Sequence, residues 1–170
     1  MGRLHILFIP SWYPSEEAPL LGTFFREQAE MFKEAGHKAG VLYAQFHDLP
    51  SKGWFNCPTH GIEVSDENGL SVMRAIQRMR QPGPLQRIPP IYRAAVRQRE
   101  RLALKMYDAY VKDNGKPDII HAKCTMWGAI LARAIAERDG IPWLVTVGAS
   151  IFARGIAGPR ERITASKTLN

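Results

Sequence analysis

Cysteine is nearly absent: the 170 residues hold two, Cys57 and Cys124, far apart and in no metal-ligand spacing. That argues against a disulfide framework or a zinc site and fits a reducing compartment. Long apolar runs are missing too; none approaches the roughly 18 residues that a membrane-crossing helix needs. The opening MGRLHILFIP is one strand length of apolar residues, without the length or small-residue cleavage pattern of a signal peptide. Cytoplasmic location is the default expectation. No G-x-x-x-x-G-K-[ST] occurs, which excludes a P-loop. No G-x-G-x-x-G follows the first apolar stretch, which argues against a standard dinucleotide fingerprint. Carboxylates in an obvious acid/base pair are also lacking, so hydrolysis by paired carboxylates is not supported. There is no internal repeat and no low-complexity tract.

What the chain has is enough length for one domain with a real core, and an excess of positive charge. Formal net charge is +7. Much of it lies between Arg74 and Lys105, where Arg74, Arg78, Arg80, Arg87, Arg93, Arg97, Arg99, Arg101 and Lys105 face Glu100 as the only acid. Such a segment attracts phosphates, on nucleic acid, a lipid headgroup or a nucleotide. Its simplest reading is a solvated helix face. Attachment to an anionic membrane surface is a second reading. Nucleic acid is not expected, because no recognised motif or aromatic platform accompanies the charge.

Hydrophobic patterning gives the elements. Leu4 to Ile9 reads as a buried strand ended by Pro10. Thr23 to Ala35 reads as an amphipathic helix, with Phe24, Phe25, Gln28, Ala29, Met31, Phe32 and Ala35 on its apolar face. Thr23 suits an N-cap and Gly36 a C-terminal stop. Ala39 to Ala44 is the next strand, and Gln45 to Pro58 reads as a polar loop. Ile62 to Val64 and Leu70 to Met73 flank SDENG, which suggests a hairpin or a small excursion. A Pro-rich break at 81–90 precedes a helix over Ile91 to Asn114, with Ile91, Ala95, Leu102, Met106 and Tyr110 near one stripe. A strand over Asp118 to Ala122, a helix over Thr125 to Asp139 and a strand over Trp143 to Val147 follow. The tail after Ile151 has no strong period. The alternation predicts an α/β, Rossmann-like, doubly wound and mostly parallel sheet with helices on both faces.

Ligands of such sheets bind outside the carboxyl ends of the strands. Loops Ser11–Gly22, Lys123–Thr125 and Gly148–Ser150 leave those ends. The first is far longer than the usual two to six residues, and long loops at that edge are commonly functional. Gly22 and Thr23 either seat an anion at the helix start or merely turn and cap it. Arg26, one turn in, aids an anion or is solvated. Trp12 and Tyr13 stack on a sugar or cover the sheet edge. Gln28, polar on an apolar face, pins the loop backbone or reaches a ligand. His121 reads as a hydrogen-bonded histidine at a strand end.

ILFIPSWYPSEEAPLLGTFFREQAEMFKEAGHKAGVLYA and PDIIHAKCTMWGAILARAIAERDGIPWLVT, in that order, resemble the N-terminal domain of family-4 GT-B glycosyltransferases. The resemblance covers most of the chain up to about Ser150, and S-W-Y-P … G-T-F-F-R-E-Q is its most specific part. It implies one half of a retaining enzyme that moves a sugar from a nucleotide-sugar donor to an acceptor hydroxyl. Residues 1–170 would form a single acceptor-side domain, with the donor held by a C-terminal domain carrying E-x7-E, a spacing absent here. It implies substrate-binding roles for Trp12, Tyr13, Gly22, Thr23, Arg26, His121 and Ser150, a sugar or lipid-linked acceptor as partner, and no metal or other cofactor. Gly148 stands where many members carry a histidine, so no catalytic residue is assigned. The expected location is cytoplasmic, peripheral to the inner membrane face, and the domain alone is expected to be inactive. The rival readings are a non-catalytic nucleotide- or sugar-binding α/β domain and a GT-B-type sugar-nucleotide epimerase.

Overall fold

A computed structural model describes residues 2–16, 18–48, 61–79, 88–124 and 127–147. Its elements run β1 (His5–Pro10), α1 (Thr23–Glu34), β2 (Lys38–Asp48), β3 (Ile62–Glu67), β4 (Leu70–Met79), α2 (Pro89–Asn114), β5 (Ile119–Lys123), α3 (Trp127–Asp139) and β6 (Trp143–Thr146). They form one sheet in the order β3-β4-β2-β1-β5-β6. Every pairing is parallel except β3 with β4. The α/β, mostly parallel sheet expected from the sequence is therefore present.

Alternation along the strands sorts the core into two layers, because successive side chains of a strand point to opposite faces. Ile6 and Phe8 of β1 join Ala39, Val41, Tyr43, Leu70 and Val72 beneath Ala29 of α1. Leu7 and Ile9 join Leu42, Ala44, Met73 and Ala75 on the other face, against Ala103, Met106 and Tyr110 of α2 and Ala129, Ala132 and Ile135 of α3. The chain builds outward from β1 to β2 and β4, then α2 carries it back across the sheet to β5 and β6. The strand order reverses between β1 and β5, and a crevice opens at that point at the carboxyl ends of the strands.

Several local readings change. Gln45–Asp48 extend β2 rather than opening a loop, because β4 pairs with them through Asp48↔Met79. The hairpin is real, but Ser65 to Glu67 are strand, and the turn narrows to Asn68 and Gly69. Both have positive φ, 53° and 74°, the backbone that a two-residue hairpin turn requires and that Asn-Gly tolerates. On α1, Phe25 and Ala29 are buried, whereas Phe24 and Met31 are 52% and 64% exposed. On α2, Ala95, Arg99, Ala103, Met106, Tyr107 and Tyr110 are the buried set, and Ile91 and Leu102 lie at its margin. Pro89 and Pro90 of the expected break at 81–90 instead open α2, while residues 81–87, most of the loop after β2, and the tail beyond Ile151 lie outside the described residues.

One small residue fixes how closely α2 meets the sheet. A Cβ on Gly40 of β2 would fall 2.0 Å from the Tyr110 hydroxyl and 2.7 Å from its Cζ. That hydroxyl lies 2.8 Å from His5 Nε2, a contact the ring would have to give up in order to yield. Gly40→Ala is expected to cost at least about 2 kcal/mol in urea unfolding. Gly61→Ala, where nothing lies within 4 Å, is expected to stay within about 0.5 kcal/mol.

Candidate functional site

The long β1–α1 connection closes on itself. Ser15 and Ala18 exchange backbone hydrogen bonds at 3.3 and 3.2 Å, and Leu21 N–H donates to Ala18 O at 3.1 Å. At its end Gly22 turns left-handed, φ 78°, and a Cβ there would lie 2.6 Å from the Trp12 carbonyl oxygen. The close backbone approach that the glycine permits is thus to the start of its own loop. Compact surface loops whose ends meet in this way are a recognised class and are often functional. Gly22, not Thr23, is the N-cap residue, and no side chain caps the helix. Its carbonyl instead accepts from Phe25 N–H at 2.9 Å.

Tyr13 anchors the loop. It is fully buried on the α1 face, 6.0 Å from the Tyr43 ring, with its hydroxyl 3.5 Å from Glu67 Oε2. Burial, then the Glu67 charge, pushes its pKa well above the usual phenol value. Of the two readings for Tyr13, covering the sheet holds and stacking on a sugar does not. Arg74 completes the clamp: its guanidinium lies 4.9 Å from the Tyr13 ring centre and donates to Pro14 O and to Glu67. Arg26 is half-buried, and its charge acts on Tyr13. Trp12 is the ring left at the rim. With Ser11, Leu21, Tyr43, Phe46 and Trp127 it lines a cavity of about 260 Å³.

The basic segment is therefore not one solvated face. Arg74 clamps the loop from β4, and Arg99 is fully buried, stacked 3.5 Å from the Trp127 ring centre and 4.8 Å from that of Phe46. Arg93, Arg97, Arg101 and Lys105 are exposed on α2, four residues apart and thus on one stripe. Arg80 and Arg87 lie outside the described residues. A larger cavity, about 430 Å³ between α2 and α3, mixes Arg93, Arg97 and Arg133 with Glu100 and Glu137.

At the β1/β5 crevice, Ser11 ties three elements together. Its N–H and Oγ both donate to Lys123 O at 3.1 Å, and Gly128 N–H of α3 donates to its Oγ at 3.0 Å. Beside it stand His121, Lys123 and Thr146. His121 and Lys123 are two apart on β5 and share the α1 face; the His121 ring packs 5.3 Å from that of Phe8. Lys123 is fully buried. Its Nζ donates to Gln28 Oε1 of α1 and lies 3.0 Å from His121 Nε2. Gln28 thus holds a lysine and not the loop backbone. Thr146 Oγ1 is 2.6 Å from the same His121 nitrogen.

Desolvation lowers the Lys123 pKa from 10.5 to about 8, so at neutral pH it is still an ammonium and a donor. His121 is lowered from 6.5 to about 4 by burial and by the Lys123 charge. It is neutral at pH 7; with its proton on Nδ1, the single lone pair of Nε2 faces both the Lys123 ammonium and the Thr146 hydroxyl. Lys123 and Thr146 were not singled out in the sequence. The available signal was a lysine two residues after His121, at an inward position of a buried parallel strand. The positions of Gly148 and Ser150 lie outside the described residues, as does Thr125.

Among the described residues no group of three or more His, Cys, Asp or Glu side chains could hold a metal ion. No helix among them is long and apolar enough to cross a membrane. Compared with known proteins, the chain matches no family model and no curated sequence.

The Lys123 pKa falls on folding, so its cost to stability is present in full below pH 8 and lifts as pH rises from 8 to 10.5. Lys123→Met is expected to gain roughly 1–3 kcal/mol at pH 7 in urea unfolding and to lose the rise in stability across that window. His121 has the same sign in a lower window: stability falls as pH drops from 6.5 towards 4, where the unfolded chain takes the proton first. Ring-proton NMR is expected to give His121 a pKa near 4, moving up in Lys123→Met.

Proposed function

We propose that this chain forms the acceptor-side domain of a retaining GT-B glycosyltransferase, which moves a sugar from a nucleotide-sugar donor to an acceptor hydroxyl. The observation that carries the reading is the S-W-Y-P … G-T-F-F loop. It closes into a clamped lip at the crevice where doubly wound sheets take their ligands, with the Trp12 cavity beneath it. The transfer asks this half of the enzyme for two things: a hydroxyl held in place, and positive potential towards the departing nucleotide diphosphate. Trp12 and the loop offer the first. Arg26, the N-terminus of α1 and Lys123 offer the second without a metal. A second, donor-binding domain with E-x7-E completes the reading.

The test is to titrate the ¹⁵N-labelled chain with mono- and disaccharides and map the amide shifts. Saturable shifts at Trp12, Gly22 and Thr23 are expected, reduced at least tenfold in affinity by Trp12→Ala. Sugars that perturb no rim residue would remove the basis for the proposal. The chain alone is expected to transfer no sugar from any nucleotide donor, and measurable turnover would refute its being one half.

The exposed stripe Arg93, Arg97, Arg101 and Lys105 supports a cytoplasmic protein peripheral to an anionic membrane face, where each basic residue adds about 1 kcal/mol. Pelleting with phosphatidylserine vesicles is expected at low salt and not at high salt or with neutral vesicles. Pelleting indifferent to lipid charge contradicts it.

A further inference from the structure

We infer that the crevice between β5, β6 and α1 is a binding site for a phosphate group carried by a substrate, received at His121 and Thr146 with the Lys123 ammonium behind them. The inference stands on the geometry of the crevice; it rests on the glycosyltransferase reading for a nucleotide diphosphate and goes beyond it for a phosphorylated acceptor, which that reading does not require.

The argument begins with a charge that lacks its opposite. Buried lysines are normally paired with a carboxylate, since an uncompensated ion in a low-dielectric site is expensive. Among the described residues Lys123 has no such partner. Its Nζ meets an amide oxygen, Gln28 Oε1, the imidazole nitrogen of His121 and the face of Phe8 at 5.3 Å. Two of its three N–H groups are matched by those acceptors, and among the described residues the third meets only the Phe8 face. All of these partners are neutral, so the full positive charge is left for whatever enters.

Neighbouring groups add to it. Gln28 stands little more than one helical turn beyond Thr23, so the positive end of the α1 dipole lies on the same side of the sheet. The Nε2 lone pair of His121 is shared between Lys123 and the Thr146 hydroxyl, and with that tautomer its Nδ1–H is the donor left to a ligand. Thr146 is exposed at the end of β6 and brings a hydroxyl. Among the described residues the crevice thus supplies donors and positive charge and no carboxylate. That suits a dianion better than a neutral hydroxyl, and a tetrahedral phosphate can take hydrogen bonds from several sides. Because His121 stays neutral down to about pH 4, charge for the anion comes from the lysine and the helix, and the ring contributes a hydrogen bond.

Such a phosphate could belong to a phosphorylated sugar or to a nucleoside diphosphate, and the probes separate them. The labelled chain is titrated at pH 7 with inorganic phosphate, glucose 6-phosphate and UDP, with glucose and uridine as uncharged controls. Amides of Ser11, His121, Lys123 and Thr146 and the His121 ring protons are followed. Saturable shifts with at least one phosphorylated probe, absent with its uncharged control, are expected. The affinity should weaken at least tenfold in Lys123→Met and recover in part in Lys123→Arg. Tighter binding of glucose 6-phosphate assigns the anion to an acceptor, and tighter binding of UDP assigns it to the donor. Should no phosphorylated probe shift these residues, or should Lys123→Met bind as the parent does, the site is refuted. Sugar binding at Trp12 is read from separate amides, so either proposal can fail alone. Since Lys123→Met is expected to be the more stable protein, lost binding there is not lost folding.

Discussion

Everything in this molecule is arranged around one strand buried on both faces. All six residues of β1 are inaccessible, with β2 and β5 running parallel on either side. A central parallel strand can be covered only if the chain crosses over above and below it, and α1 on one face and α2 with α3 on the other do this. Since β2 and β5 leave β1 in opposite directions, the connections at its carboxyl end diverge and leave a gap. The hydrophobic burial of a single hexapeptide thus decides where an open, polar site can exist.

The gap is kept in shape by polar contacts of modest strength placed where they count. Ser11 joins β1, β5 and α3 through one side chain. Gly22 lets the loop return to within contact of Trp12, and Arg74 holds Pro14 from the next strand pair. Against these stands Lys123, whose burial works against folding. Desolvation outweighs the hydrogen bonds it donates to neutral acceptors, as its lowered pKa records. Stability lost at a ligand edge and recovered in a large core is the usual relation between a site and its scaffold.

The fold was legible because it rests on periodicity. Strands of continuous apolar residues, helices with a 3.6-residue stripe and Gly or Pro at the joints fixed the order of elements, with ends off by a few residues at most outside β2 and the hairpin. Where the strand ended was harder: Gln45–Asp48 are polar, and only pairing with β4 makes them strand. The site was legible as a place, through the length of the Ser11–Gly22 loop, more than as a set of side chains. Tyr13 and Trp12 are adjacent in sequence, yet one is buried and the other lines a cavity, and local pattern carries no signal for that difference. Arg74 and Arg99 looked like their solvated neighbours because composition cannot show a guanidinium meeting Glu67 or two indole and phenyl faces. Lys123 was hidden for the same reason: its acceptor Gln28 lies on α1, 95 residues away.

The antiparallel hairpin strand at the sheet margin has a consequence for how copies of the chain meet. Among the described residues β3 has one neighbour, β4, and it carries Glu63 and Asp66 beside Glu67, whose carboxylate Arg74 pairs. A sister molecule adding itself there edge to edge would bring acid against acid along the new seam.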